Sequence, residues 1–273
     1  MLRTRVITAV VLLALLAGSA ALGDKELQEV LALLVTVAMF EWLQLAGCGV
    51  ALALAVAVVY GVALGLTSAW DVRLSPHAGA VACLGASALW CALAAIVAQA
   101  RGLRFGRSAS IALAFVLLSA AWIALDRLLQ HGLLWLLSVL ALVWVADIAA
   151  FFSGRAFGRH KLAPHVSPGK TWEGVFGAIV AVTLIALAAR VLWPRADVWS
   201  NQLLAFAWPL ALAAIWTLVA LSIVGDLFES LLKRQAQVKD SGRLLPGHGG
   251  VLDRIDATLP ALPAAVLIEW WTR

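Results

Sequence analysis

Between Gly225 and Asp256 the chain reads GDLFESLLKRQAQVKDSGRLLPGHGGVLDRID, with four aspartates, one glutamate, one histidine, two lysines and three arginines. Apolar sequence flanks this stretch on both sides. Ionisable groups at the margin of a membrane segment are costly to bury and so point to function. Read as a helix, LVALSIVGDLFESLLKR places Asp226, Glu229, Ser230 and Lys233 on one face. Asp253 and Asp256, three residues apart, share a face at the start of the last apolar segment. Pro246, Gly247, Gly249 and Gly250 interrupt any helix between them and let the backbone come close to a ligand. The expected helix–loop–helix hairpin can bring Asp226 and Asp253 together. Gathered carboxylates repel unless a cation joins them, and an all-oxygen set suits a hard ion such as magnesium. Lys233, Arg234, Lys239, Arg243 and Arg254 add charge of the kind that holds phosphates. Hard metal and phosphate-binding charge together are the chemistry of phosphoryl or nucleotidyl transfer. The plainer reading is a membrane-flanking loop, basic by the positive-inside rule, with acids as ion partners.

A second constellation, DIAAFFSGRAFGRHKLAPHVSPGKTWEG, starts at Asp147 near the end of another apolar segment. Its glycines and prolines exclude a long helix after Ser153, and six cationic or histidine side chains make it basic. Ser167 or Thr171 suits the N-cap of the helix that follows, with Lys170 beside its positive end. Such a terminus binds anions, and a nucleoside triphosphate is the candidate. The alternative is a basic loop in which HVSPGK is only a turn.

The elements that must position these residues are apolar. The chain of 273 residues is 63% hydrophobic and 13% charged, whereas soluble domains sit near about 45–50% and 25%. The expected fold is therefore an all-α, polytopic transmembrane helical bundle of about nine spans. They fall at roughly 6–22, 27–46, 49–67, 78–99, 109–128, 132–152, 174–193, 203–225 and 251–271. We read one domain over 1–273, with N-terminal spans over about 1–130 and a catalytic half over about 131–273. The first segment also has the pattern of a signal peptide, but a retained span suits a polytopic chain better. Nine spans put Arg3 and Arg5, then Arg101, Arg104 and Arg107, and the two basic constellations on one side. The positive-inside rule makes that side cytoplasmic. Tryptophans near segment ends, Trp42 and Trp199 among them, fit an interfacial belt. The net charge of +5 implies attraction to anionic lipid and gives no sign of nucleic-acid binding. Cys48, Cys83 and Cys91 have no C-x-x-C pairing and read as buried small hydrophobes. Glu41 reads as an acid near the interface or hydrogen-bonded inside the bundle, and His77 and His131 as solvated.

The order of residues from Ser230 to Asp256, S-x-x-K-R-x(4)-K-D-x-G-x(2)-L-P-x-H-G-G-V-x-D-R-I-D, resembles the signature of the phosphatidate cytidylyltransferases, the CDP-diacylglycerol synthases. Ser167, Pro168, Lys170, Thr171, Glu173 and Gly174 fill a second pattern of that family, S-P-x-K-T-x-E-G. Ile148 and Phe151 stand where members commonly carry hydroxyl side chains, and Gly169 replaces a residue that is often polar or basic. The resemblance implies transfer of CMP from CTP to phosphatidate, giving CDP-diacylglycerol and pyrophosphate. It also implies an active site at the cytoplasmic face of the cell inner membrane, magnesium with potassium as a second cation, and a homodimer.

On that reading Asp226 and Asp253 ligate metal, with Asp147 and Asp256 as further ligands or their supports. Lys170, Lys233, Arg234, Lys239 and Arg254 hold phosphates. Ser167, Thr171 and His248 position the nucleotide or the loop, and Gly249 and Gly250 admit the nucleotide close to the backbone. His248 is either a general acid or, the reading we favour, a residue that ties the glycine turn together. Rival functions are transfer to an isoprenoid lipid and ion-coupled transport. The second lacks its expected inverted repeats.

Overall fold

The computed structural model describes residues 2–98 and 104–272. Each apolar window becomes helical: α1 (Leu2–Leu22), α2 (Asp24–Leu45), α3 (Val50–Ala69), α4 (Pro76–Ala98), α5 (Arg107–Gln130), α6 (Leu133–Phe157), α7 (Trp172–Leu192), α9 (Trp208–Gln235) and, at the end, α10 (Leu252–Ile255) with α11 (Thr258–Thr272). A short α8 (Trp199–Phe206) precedes α9, and β1 (Lys161–Ala163) and β2 (Ser167–Thr171) form a hairpin between α6 and α7. Six helices, α3 to α7 and α9, are each long and apolar enough to cross a membrane. The chain is thus an integral membrane protein built as a helical bundle.

The last two expected spans differ from the sequence reading. The eighth starts later, because the helix breaks at Ala207 before Pro209, and it runs on to Gln235. Asp226, Glu229 and Lys233 therefore ride on α9 itself, as their spacing requires. The ninth segment splits into the single turn α10 and the 15-residue α11. Residues 257–265 of this segment are buried without interruption, and α11 packs against α4, α5, α6, α8 and α9. A helix enclosed by protein need not match the thickness of a bilayer.

Several side chains expected at the surface lie inside. Trp42 is 1% exposed and packs on Phe228, which also meets Trp90 and Phe105. Trp199 is fully buried and donates to Ala265 O. His131 is not simply solvated: its Nε2 lies 2.9 Å from Glu269 of α11. His77 is exposed, as expected, with its ring edge-on to the partly exposed Trp270. Cys91, expected to be buried, faces outward.

The expected common end for the basic regions holds for the parts described. Thr8 of α1 donates to Pro246 O at 2.9 Å. Gln235, at the end of α9, exchanges two hydrogen bonds with the Phe105 backbone, at 2.8 and 2.7 Å. Arg101 and the side chains of Arg3 and Arg5 lie outside the described residues.

Two contacts place the polar loop against the bundle. Where α9 passes the α10–α11 junction it carries Gly225, and a Cβ there would collide with Asp256 O and meet Pro260 Cδ at 2.9 Å. The missing side chain lets the two backbones touch, which sets Asp226 beside Asp256. The second contact is Glu41 of α2, 2% exposed. It accepts hydrogen bonds from Val251 N at 3.1 Å, Leu252 N at 2.8 Å and Ser241 Oγ at 3.1 Å. Gly242 and Gly250 lie directly against its carboxylate. A buried acid surrounded by donors is the hydrogen-bonded alternative weighed from sequence.

Gly225→Ala is expected to cost about 1–3 kcal/mol through forced separation of α9 from α10, read as a lower unfolding midpoint in detergent; an unmoved midpoint would show the contact to be slack. Glu41→Gln keeps the shape but turns one acceptor into a donor, leaving a buried amide of Val251 or Leu252 unpaired at about 1–3 kcal/mol. Hydrogen exchange at those two amides should accelerate, and wild-type protection would remove Glu41 as the anchor.

Candidate active site

The loop after α6 is the first component. Gly158 ends α6, and β1 pairs antiparallel with β2, Lys161 opposite Thr171 and Ala163 opposite Ser167. The basic loop is thus a short hairpin rather than a bare turn. Its base is closed by Glu173, whose carboxylate takes His160 N at 3.2 Å and lies 2.7 Å from His160 Nδ1. Of the two candidate caps, Thr171 is the one that forms: its Oγ1 accepts from Gly174 N at 3.2 Å. This fixes the start of α7 and aims Lys170 inward, where its Nζ lies 2.6 Å from Asp226 Oδ2.

The second component is the C-terminal loop. Asp253 Oδ2 accepts from Ser241 N at 2.8 Å, Ser241 Oγ at 2.9 Å and Gly250 N at 2.8 Å, and its Oδ1 accepts from Lys233 Nζ at 2.6 Å. Burial pushes this carboxyl up, but the bonds from Lys233 and the Gly250 amide outweigh it and bring it down to about 2. Lys233 is shared with Glu229, one turn earlier on α9 and 3% exposed. Asp256 accepts from Ala257 N at 2.7 Å. Its burial, and after that the neighbouring Asp226 carboxylate, push its own carboxyl upward.

These components enclose a cleft of about 620 Å³. Asp147, Ser167, Lys170, Thr171, Asp226, Lys233, Asp253, Arg254 and Asp256 all border it. So do Phe151 and Gly169, two of the departures from the family pattern. Ala150, Phe151, Leu162, Val175 and Ile223 add apolar surface to the same cleft. Ile148, the third departure, is exposed and not among the lining residues.

Other sequence candidates stand elsewhere. Lys239, His248 and Gly249 line an adjoining crevice that shares Arg254 with the cleft. Gly250 supports Asp253 through its amide, and Arg234 borders neither cavity. His248 ties the turn: its N donates to Leu245 O at 2.9 Å and its O accepts from Arg254 Nε and Nη2 at 3.1 and 2.7 Å.

Sequence reasoning missed Ser241, which links Glu41 to Asp253, and underweighted Glu41 and Glu229. The available signal for both glutamates was an acid within an apolar helix. Ser241 gave none beyond its place between Asp240 and Gly242.

The acids offer oxygen only, as a hard cation prefers. Among the described residues no three of them stand at metal-binding spacing. The ammonium of Lys170 occupies the position beside Asp226 that a cation would favour. Asp147 lies within electrostatic reach of both Lys170 and Asp226. A site with two carboxylates at most suits magnesium, which completes its shell with water and substrate phosphates.

Comparison with known proteins is consistent with this arrangement. The chain is 41% identical over 284 residues to the phosphatidate cytidylyltransferase of Pseudomonas aeruginosa, covering 99% of this chain and 97% of that one. It is 49% identical over 133 residues to the Haemophilus influenzae protein of the same name, covering 49% and 44%. The Staphylococcus epidermidis protein is 38% identical over 162 residues, covering 55% and 56%. The model of the cytidylyltransferase family matches residues 3–271. With a match of that extent, the chain belongs to the cytidylyltransferase family.

Proposed function

We propose that the protein transfers CMP from CTP to phosphatidate, giving CDP-diacylglycerol and pyrophosphate, with the cleft open to the cytoplasm. The observation that carries the reading is a single cleft lined by both kinds of side chain. Lys170, Arg254 and the aspartates border it together with Phe151, Val175 and Ile223. A substrate with a phosphate head and acyl tails matches such a mixed lining. The relatives' name, phosphatidate cytidylyltransferase, agrees with it.

The lipid phosphate is already anionic and nucleophilic, so no strong base is required. The barrier is the approach of two polyanions, and fixed positive charge lowers it. Lys170, on the rigid hairpin, would hold a phosphate when it leaves Asp226. Arg254 is held in place by His248 O and presents its guanidinium to the cleft. Lys233 adds its charge from between Glu229 and Asp253. Ser167 borders the cleft on the strand that carries Lys170 and would orient the nucleotide. Asp226 with either Asp147 or Asp256 would hold a magnesium ion, and Asp253 would take that second place only by exchanging a bond to Ser241, Gly250 or Lys233. Such an ion supplies charge neutralisation at the transferring and leaving phosphates. The cytoplasmic orientation in the inner membrane rests on the shared end of the basic loops and the positive-inside rule.

The test is purified protein in detergent with CTP, phosphatidate and magnesium, pyrophosphate release being measured against omission of each. An isoprenoid monophosphate in place of phosphatidate separates the lipid classes. No CTP-dependent release with either lipid would end the reading. Asp226→Asn should lower the rate by about a thousandfold while the protein stays folded; near-wild-type turnover would remove Asp226 from the metal site. Lys170→Ala should raise the KM for CTP about tenfold, the loss of one charged hydrogen bond. An unchanged KM would end its phosphate role.

A further inference from the structure

Beside the cleft, and separated from it only by Asp240 and Arg254, lies a crevice of about 650 Å³ in the C-terminal loop. Lys239, Arg243 and Arg254 line it against a single acid, Asp240. Lys170 and Lys233 in the cleft are already paired with carboxylates. Among the described residues, by contrast, Lys239 and Arg243 form no ion pair. Arg254 spends Nε and Nη2 on His248 O, and its Nη1 has no protein partner among the described residues. His248 Nδ1 is buried there with no hydrogen-bond partner. The floor is a closed turn, with Leu245 N donating to Gly249 O and His248 N to Leu245 O, both at 2.9 Å. Concentrated positive charge on a turn of fixed shape is suited to a polyanion.

We propose that this crevice binds pyrophosphate, both as the β,γ end of the incoming nucleotide and as the departing product. The proposal rests on the cytidylyl transfer above and assigns its two phosphate sites to two compartments. In that reaction a lipid phosphate oxygen forms a bond to the α-phosphorus. The bond from the α-phosphorus to the α,β-bridging oxygen breaks, and its electron pair leaves with pyrophosphate. In-line displacement puts the attacking and leaving oxygens on opposite sides of the phosphorus. With the lipid phosphate in the cleft, the crevice, which adjoins it at Asp240 and Arg254, offers the leaving group a basic place on the far side of the phosphorus. The nucleotide base is the poorer occupant, since among the described residues only Leu245 and Pro246 offer it apolar surface and no Phe, Tyr or Trp lines the crevice.

The test uses the full chain in detergent and the exposed Arg243. Pyrophosphate is titrated by calorimetry into the wild type, Arg243→Ala, Arg243→Lys and Lys239→Ala, and it is also assayed as an inhibitor of turnover. Arg243→Ala should weaken pyrophosphate binding and raise the KM for CTP, each about tenfold. The KM for phosphatidate should stay unchanged, Arg243→Lys should recover part of the loss, and melting temperatures should match. Wild-type pyrophosphate affinity in both alanine variants, or a KM increase that falls on phosphatidate, would overturn the assignment. Turnover with pyrophosphate binding unaffected by the variants sinks the crevice and spares the cytidylyl reading. Arg243-dependent pyrophosphate binding without CTP-dependent product sinks the cytidylyl reading and spares the crevice.

Discussion

The structure depends on how a bundle of apolar helices holds a crowd of carboxylates at one end. Asp147, Asp226, Glu229, Asp253 and Asp256 gather within a few helical turns of one another, and Glu41 adds another acid from the N-terminal half. Each needs compensation, because burying an unpaired charge is far costlier than burying a paired one. The chain meets the demand in two ways. Glu41 and Asp253 are surrounded by backbone amides, Ser241 and Lys233. Asp226 pairs with the Lys170 ammonium, and Asp256 has no ammonium bonded to it among the described residues, only the charges of Lys170 and Lys233 nearby. The first pair is committed to holding the loop together. The second keeps an excess of negative charge open to the cleft, and that excess gives a cation its place.

This division of labour relies on contacts between distant parts of the sequence. Ser241 touches both Glu41 and Asp253, so α2, the loop and α10 form one hydrogen-bonded unit. Gly225 lets α9 rest directly on the α10 backbone, so the acids of the two helices meet without intervening side chains. Beneath them the Trp42, Trp90, Phe105 and Phe228 rings give the polar layer a closely packed floor. Aromatic packing of this kind resists rearrangement, and a polar site needs such support to keep its geometry.

The positive side chains fall into the same two classes. Lys233 is held between two acids and serves the architecture as much as the ligand. Arg254 is fixed by a carbonyl, an acceptor without full charge, so its own charge remains available at the boundary of both cavities. Arginine suits that position because its fork can be anchored along one edge and bind phosphate along another.

Local spacing and composition carried much of this molecule. A chain 63% hydrophobic had to be a membrane bundle, and the i, i+3, i+7 spacing of Asp226, Glu229 and Lys233 had to share a helix face. The glycine–proline loop had to be a break. Those properties depend on neighbours within a few residues, so sequence alone determined them. Tertiary structure decided that Glu41 would clasp a loop some 200 residues away, and that Trp42 and Trp199 would be core rather than belt. It also decided that the last apolar segment would be enclosed rather than lipid-facing, and that Lys239 and His248 would line a second cavity instead of the first. The physical reason is the same in each case. Hydrophobicity reports a preference for leaving water and does not distinguish lipid from protein, while a carboxylate's partner is whichever donor the packing of distant helices brings within about 3 Å.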